Sequence, residues 1–314
     1  MRAFARRHLH FGDDVEPSGF PDGAALSSGS RGVVYRTGDG RHALGPALAW
    51  AGRRDVRELH LLIDHDGGDL ARRARLLGGA ASVWRMAGDR AEPVEASPRS
   101  PETGPPPDIG HLVAVIERHG LEAVAEHGVV TAELSGLEIA RIEDRGDGPR
   151  IEVGVGRFDR EAGELLRQHH DVDARMADAL LEVGPYRQRG AEPHPVNRLS
   201  RERWLRSIAV ADPTAVDLVE LRPVSPARPR PDLRQAVAAP GVGRDQHGAR
   251  VLVLFSAGVD LDVVPHAADL VDREQVDQVR FVSLERDQLE PIRRMARYLP
   301  VPNDFLAIDP PWPV

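Results

Sequence analysis

Between residues 33 and 86 short apolar runs alternate with helix-spaced segments, and this alternation constrains the fold more than any single motif does. Residues 33–36 read as a strand, 43–52 as a helix, 59–63 as a strand, 70–77 as a helix and 82–86 as a third strand. The run at 59–63 (LHLLI) is apolar on both faces, which suits a strand covered on both sides. Strand, helix and strand in this rhythm predict a parallel sheet with helical crossovers.

The same order returns near the end of the chain, with strands at 251–255, 279–284 and 305–308 and helices at 265–271 and 289–299. Thr37 and Pro46 match Ser256 and Pro265 at one constant offset, and LARRARLL at 70–77 answers IRRMARYL at 292–299. On that pattern Leu70, Ala74 and Leu77, like Ile292, Ala296 and Leu299, face their sheets. Arg72, Arg73 and Arg75, and Arg293, Arg294 and Arg297, are then expected to point outward, either as solvated faces or as a clamp for an acidic group.

Between the repeats, residues 110–127 read as a helix with Ala123 and Val124 among its core positions. Three strands follow at 129–134, 137–143 and 150–155, joined by turn sequences, and helices are predicted at 160–168, 174–182 and after Ser200. The fold class expected is α/β: two similar parallel-sheet units, 31–96 and 249–314, flanking a central α+β module at 109–222. The Pro-rich 97–108 and the Pro/Gly-rich 223–248 read as linkers, and 1–30 as a loosely ordered arm.

Composition removes more chemistry than motifs add. The 314 residues include no cysteine and no lysine, so all 41 basic side chains are arginine. Thiolate nucleophiles, cysteine-ligated metals, a Schiff-base lysine and a P-loop lysine are excluded. Arginine without lysine, beside abundant Ala, Gly and Pro, suits GC-rich coding. A net charge of −8 does not favour a general nucleic-acid binder. No run approaches the ~20 apolar residues of a membrane helix, and MRAFARRHLHFGDD lacks a signal's apolar core, so a cytoplasmic chain is expected.

The segment LLIDHDGGDLARRA places Asp64 and Asp66 where a strand ends and a helix begins, the edge at which open α/β sheets bind ligands. Two carboxylates at this spacing are candidate Mg²⁺ ligands, while Asp66 or Asp69 is also suited to cap the following helix. The Asp-x-Asp strand end resembles that of Toprim domains, and the resemblance implies metal-dependent strand chemistry. In the central module Glu138 and Glu152 fall on the second and third strands. This helix-and-strands order resembles the PD-(D/E)xK nuclease core, which implies that these two acids hold divalent metal; the family's lysine position is Gly154 here, leaving Arg157 as the candidate cation. Glutamates on such hairpins also commonly face solvent.

The loops TGDG and SAGVD follow strands and precede helices, so Thr37, Gly38, Ser256 and Gly258 are candidates to receive an anion on backbone N–H groups. The stretches GLEIARI, RIEVGVGRFDREA and PHPVNRLSRERWLR together look like a family of uncharacterised actinobacterial proteins, which implies no activity. The leading expectation is an α/β binding or interaction protein, because each candidate site lacks a residue its chemistry needs. The alternatives are a Mg²⁺-dependent nuclease or phosphoesterase and a sensor of a small anionic ligand or nucleotide. Partner and oligomeric state have no signature in these residues.

Overall fold

The computed structural model describes residues 1–12, 14–38, 42–88, 90–144, 146, 148–156, 171–230, 233, 235 and 237–313. It is an α/β structure with three sheets. The chain groups into two compact units, one of Met1–Ser100, Leu261–Gln275 and Gln288–Asn303, the other of Pro101–Asp260, Val276–Asp287 and Asp304–Val314.

The first unit holds α1 (Arg2–Leu9), β1 (Glu16–Phe20), β2 (Gly23–Ser28), β3 (Arg31–Arg36), α2 (Leu44–Arg53), β4 (Glu58–Ile63), α3 (Gly68–Leu76), β5 (Ser82–Ala87) and β6 (Arg90–Pro93). Its six strands form one sheet in the order β1-β2-β3-β4-β5-β6. β3, β4 and β5 are parallel as expected, while β1, β2 and β6 add antiparallel edges. Residues 1–30 are therefore not a loose arm. Two-residue turns join β1, β2 and β3, and Phe4, Leu9 and Phe11 pack with Leu26, Val33 and Leu62. The strand sequences EPSGF and GAALSS carry too few β-branched or aromatic residues to signal strand locally.

The second unit holds α4 (Gly110–Arg118), β7 (Glu122–Glu126), β8 (Val129–Leu134), β9 (Leu137–Asp144), β10 (Pro149–Val153), α5 (Val172–Val183), α6 (Arg201–Ala211), β11 (Glu220–Pro223), β12 (Ala239–Arg244) and β13 (Arg250–Phe255). The chain continues through α7 (Val263–Glu274), β14 (Gln278–Ser283), α8 (Glu290–Ala296) and β15 (Asn303–Ala307). Helices α7 and α8 belong to the first unit. A division of the chain at 109–222 and 249–314 is thus not how the residues group.

β7 to β10 form an antiparallel meander in the order β10-β9-β8-β7. The helix expected over 110–127 ends at Arg118, and residues 122–126 are strand β7; Ala123 and Val124 lie on a strand, not in a helix. EAVAE is rich in helix formers, and its pairing with β8 overrides that propensity. One face of the meander is apolar: Val130, Ala132, Ile142, Ile151 and Val153 pack with Ile116 of α4 and Met176 and Val183 of α5. The helix expected at 160–168 lies outside the described residues.

The third sheet runs β11-β12-β13-β14-β15, with β11, β12 and β13 antiparallel and β13 parallel to β14. Residues 239–244 are a strand inside the stretch read as a linker. APGVGR looks like a linker because of its glycines, yet they are there for close approach: a Cβ on Gly243 would stand 2.0 Å from the Glu220 carbonyl oxygen.

The repeat has the same order in both places, β3-α2-β4-α3-β5 and β13-α7-β14-α8-β15. Thr37 and Ser256 are each the first residue after their strand, and Pro46 and Pro265 each sit in the first turn of their helix. Inside the first unit α2 packs on α8 and α7, and α3 packs on α7. Leu70, Ala74, Leu77, Ile292, Ala296 and Leu299 are buried, and Arg75, Arg294 and Arg297 are exposed. Arg72 and Arg73 are not: both are buried against α7.

Candidate functional site

The face of the meander opposite its apolar core is lined with charge. Alternation puts Glu122 and Glu126 of β7, Thr131 and Glu133 of β8, and Glu138, Arg141 and Glu143 of β9 on that side, with Arg150 and Glu152 of β10 continuing the row. A register shift at Ala132/Glu133 brings Glu133 directly opposite Glu138. Like charges so placed repel, and both carboxylates are almost wholly buried, at 1% and 3% exposure.

Helix α6 resolves the conflict. Its sequence RERWLRSIAVA carries Trp204, Leu205 and Ala209 toward Leu221, Val251, Val253 and Phe255 of the third sheet, and Arg203, Arg206 and Ser207 toward the acids. Arg203 donates to both Glu133 and Glu126. Arg206 donates to Glu126 Oε1 at 2.6 Å and lies 3.6 Å from Glu133 Oε2. Two buried guanidinium groups and two buried carboxylates thus close a square, and Thr131 donates to Glu133 at 2.9 Å.

The Ser135–Gly136 turn between β8 and β9 lets the helix come this close. A Cβ on Gly136 would fall 2.3 Å from the Arg203 carbonyl carbon, and the residue has φ +75°. Beside it Arg187, 2% exposed, donates to the carbonyls of Ser135 and Leu199 at 2.6 and 3.0 Å, and its guanidinium carbon lies 4.0 Å from the Trp204 ring centre. Burial lowers its pKa to about 9; nearby Glu133 opposes that fall and Arg201 adds to it.

Titration follows the pairing. Burial pushes Glu126 up, but the charges of Arg203 and Arg206 overcome it and hold the carboxyl below its ordinary value. Glu122 goes the other way: burial raises it and Glu133 adds to the rise, against a 2.7 Å hydrogen bond from Ser207 and the charge of Arg206.

The candidate metal acids are drawn into the same kind of internal pairing. Arg141 donates to both oxygens of Glu138, at 2.7 and 2.9 Å, and the register sets Glu152 across from Arg141 rather than from Glu138. Arg150 lies 3.3 Å from Glu152. Arg157 falls outside the described residues. At the end of β4, Asp66 Oδ1 accepts the Gly68 N–H at 3.2 Å, while the residue at the N-cap of α3 is Gly67, and Asp64 Oδ2 accepts the Gly38 N–H at 3.4 Å. Among the described residues no group of three or more His, Asp or Glu is arranged to hold a metal ion. Glu138 is thus held by both its oxygens on arginine, and one oxygen of Asp66 is occupied by a backbone N–H.

The two candidate anion loops share a feature that works against an incoming anion. Gly258 donates its N–H to Asp287 Oδ2 at 2.8 Å within the second unit, as Gly38 does to Asp64 within the first. Each loop amide already holds a carboxylate from beyond the next strand. Thr37 Oγ1 donates to the Asp22 carbonyl at 2.9 Å, and the Ser256 N–H donates to the Val282 carbonyl at 2.9 Å.

In the first unit, Asp269 of α7 accepts from Arg72 Nε at 3.0 Å and Arg73 Nε at 2.6 Å, and Asp69 accepts from Arg72 at 2.6 Å. Asp262, just before α7, accepts the Gly45 N–H of α2 at 3.1 Å and lies 3.0 Å from His42 Nδ1. Burial pushes Asp262 up, and the His42 hydrogen bond with the charges of His266 and His42 overcomes it and leaves it below its ordinary value.

Sequence reasoning missed the Arg203–Arg206 square. Its one local trace is arginine at i and i+3 interrupting the apolar stripe of RERWLRSIAVA, opposite a strand whose two acids, Glu122 and Glu126, lie four residues apart on one face. No family model, curated protein or solved structure matches this chain.

Proposed function

We propose that this protein works by binding rather than by metal-assisted hydrolysis, as an α/β binding or interaction protein. One observation carries the reading: Glu138, the acid best placed for nuclease-like chemistry, has both oxygens held by Arg141. A metal would have to displace a bidentate guanidinium from a carboxylate that is 3% exposed. The buried square of Glu126, Glu133, Arg203 and Arg206 supports the same view. Its charges are paired internally, and it serves to dock α6, fixing which face of the helix meets which sheet.

The test is a turnover assay on single- and double-stranded DNA, RNA and nucleoside triphosphates with Mg²⁺ or Mn²⁺. No turnover above buffer is expected. Turnover that disappears in Asp66→Ala or Glu152→Ala would overturn the proposal and return the chain to the metal-dependent class.

A further inference from the structure

One histidine of the first unit lies in the core with its protonation state fixed by its neighbours. His60 of β4 is buried on the face of the sheet that α1 covers. The register sets it beside Val33 of β3 and Ser82 of β5, with Glu58 beside Arg31 and Leu62 beside Trp84 on the same face. Trp84 Nε1 donates to His60 Nδ1 at 3.1 Å, and His60 Nε2 lies 3.1 Å from Glu58 Oε1. An indole nitrogen can only donate and a carboxylate can only accept, so Nδ1 carries the lone pair and Nε2 the proton. Neutral His60 satisfies both contacts. A second proton has to go on Nδ1, where the indole N–H already points, and the two cannot coexist.

The same indole carries α1. Phe4 meets Trp84 edge-on, with 5.2 Å between ring centres, and His8 stacks on Phe4 at 5.0 Å with its ring 6.0 Å from Trp84. At the other end of α1, Arg31 donates to the Leu9 carbonyl and lies over the Phe11 ring at 5.1 Å. Charge on His60 acts at both ends: it evicts the Trp84 N–H, and it adds a second cation to the field of Arg31.

Few charges face His60 among the described residues. Glu58 on β4 is more than half exposed, Arg31 comes from β3, and exposed His8 from α1 lies beyond Trp84. On this face β5 offers Ser82, Trp84 and Met86, and β6 offers Ala91 and Pro93, none of which titrates. Arg85, Arg90 and Glu92 alternate to the opposite face, and Arg2, Arg6 and Arg7 of α1 are exposed. Burial draws His60 below its ordinary value, the hydrogen bond and charge of Glu58 oppose the fall, and Arg31 adds to it. The neutral pairing is therefore whole above the unfolded value of ~6.5 and is lost as pH falls through the lower folded one.

We propose that the His60–Trp84 hydrogen bond is an acid-sensitive latch, which holds α1 on the first sheet at neutral pH and releases it in acid. Release uncovers the apolar face made by Leu26, Val33 and Leu62. The latch controls exposure of that face and stands independently of the binding function.

Hydrogen exchange of the full chain, followed on the peptide spanning residues 1–12 and corrected for the intrinsic rate at each pH, measures the latch. Protection of that peptide should fall at least ~10-fold between pH 7.5 and pH 5, with a midpoint below ~6.5, while peptides from α2 and from the β7–β10 meander keep theirs. His60→Asn leaves an oxygen near the Nδ1 position to accept the indole N–H and cannot titrate, so the fall should disappear. Glu58→Gln removes the counter-charge of protonated His60 and should move the midpoint to lower pH, which a merely structural contact would not do. It decides the matter if His60→Asn fails to fold. His8→Gln should leave the midpoint in place. Constant protection of residues 1–12, a fall shared by α2 and the meander, or a fall that persists in His60→Asn would overturn the latch. So would an unmoved midpoint in Glu58→Gln, or a fall abolished by His8→Gln.

Discussion

Removing Arg206 tests whether α6 is held by charge. The side chain is 1% exposed and faces Glu126 and Glu133, which it shares with Arg203. Arg206→Met keeps the aliphatic stem and its packing, so the substitution leaves little void and isolates the charge. Two buried carboxylates would then share one guanidinium. Breaking a buried pair from one side costs ~3–5 kcal/mol, against a typical total of ~5–15 kcal/mol, so a large fall in the urea midpoint is expected. Adding Glu126→Gln restores neutrality, and the double variant should be at least ~2 kcal/mol more stable than the two single costs summed.

The pH dependence gives a second readout. Glu126 has its pKa depressed, so its contribution is present above the unfolded value of ~4.3 and is lost as pH falls through the folded one. With Arg206 gone the depression weakens, the surplus carboxylate takes up a proton more readily, and the deficit of Arg206→Met should shrink between pH 8 and pH 5. A cost below ~1 kcal/mol, strict additivity in the double variant, or a deficit independent of pH would each refute a charge-held helix.

Glu122 carries the opposite sign. Its raised pKa means that burial favours the protonated form, so its contribution is present below the unfolded value and is lost as pH rises through the folded one; Glu122→Gln should stabilise the protein at neutral pH and gain nothing under acid conditions in parallel urea melts. Gly136→Ala adds a left-handed backbone penalty to a collision with α6 and should cost at least ~2 kcal/mol, whereas Gly78→Ala, with φ +68° and open space around it, should cost only ~1 kcal/mol. Asp269→Ala takes the carboxylate from buried Arg73 and leaves Arg72 with Asp69 alone, and should lower stability by ~3 kcal/mol in chemical denaturation, with Asp272→Ala, whose partner Arg99 is exposed, as the near-neutral control.

Much of the strand and helix order was legible because it is local. The runs at 59–63 and 251–255 are continuous apolar segments of strand length, and Pro46 and Pro265 fix helix starts from one residue each. The misread pieces fail where pairing decides and propensity points elsewhere: Ala- and Glu-rich β7, the small-residue strands β1 and β2, and Gly-rich β12. The charge square was invisible for another reason. Arg203 and Arg206 meet acids 70 to 80 positions away in the chain, and no window of sequence contains both partners.

The buried arginines of α3 show how the two matched segments differ. In the match of 70–77 with 292–299, Arg72 corresponds to Arg294, and each reaches from the second helix of its own copy to the first helix of the other. Arg72 meets Asp269 on α7. Arg294 meets no carboxylate there, because the position corresponding to Asp269 at the constant offset is Trp50, whose Nε1 is committed to Ser18 at 3.1 Å. Arg294 instead donates to the Gly52 carbonyl at 3.1 Å, in the last turn of α2, where a cation complements the helix dipole and can stay in water. One substitution on the facing helix therefore decides whether the same arginine is buried and paired or exposed and capping. That is why an outward face predicted from spacing holds for Arg294 and fails for Arg72: helical periodicity says which side a residue occupies, and only the opposite helix says whether that side is solvent.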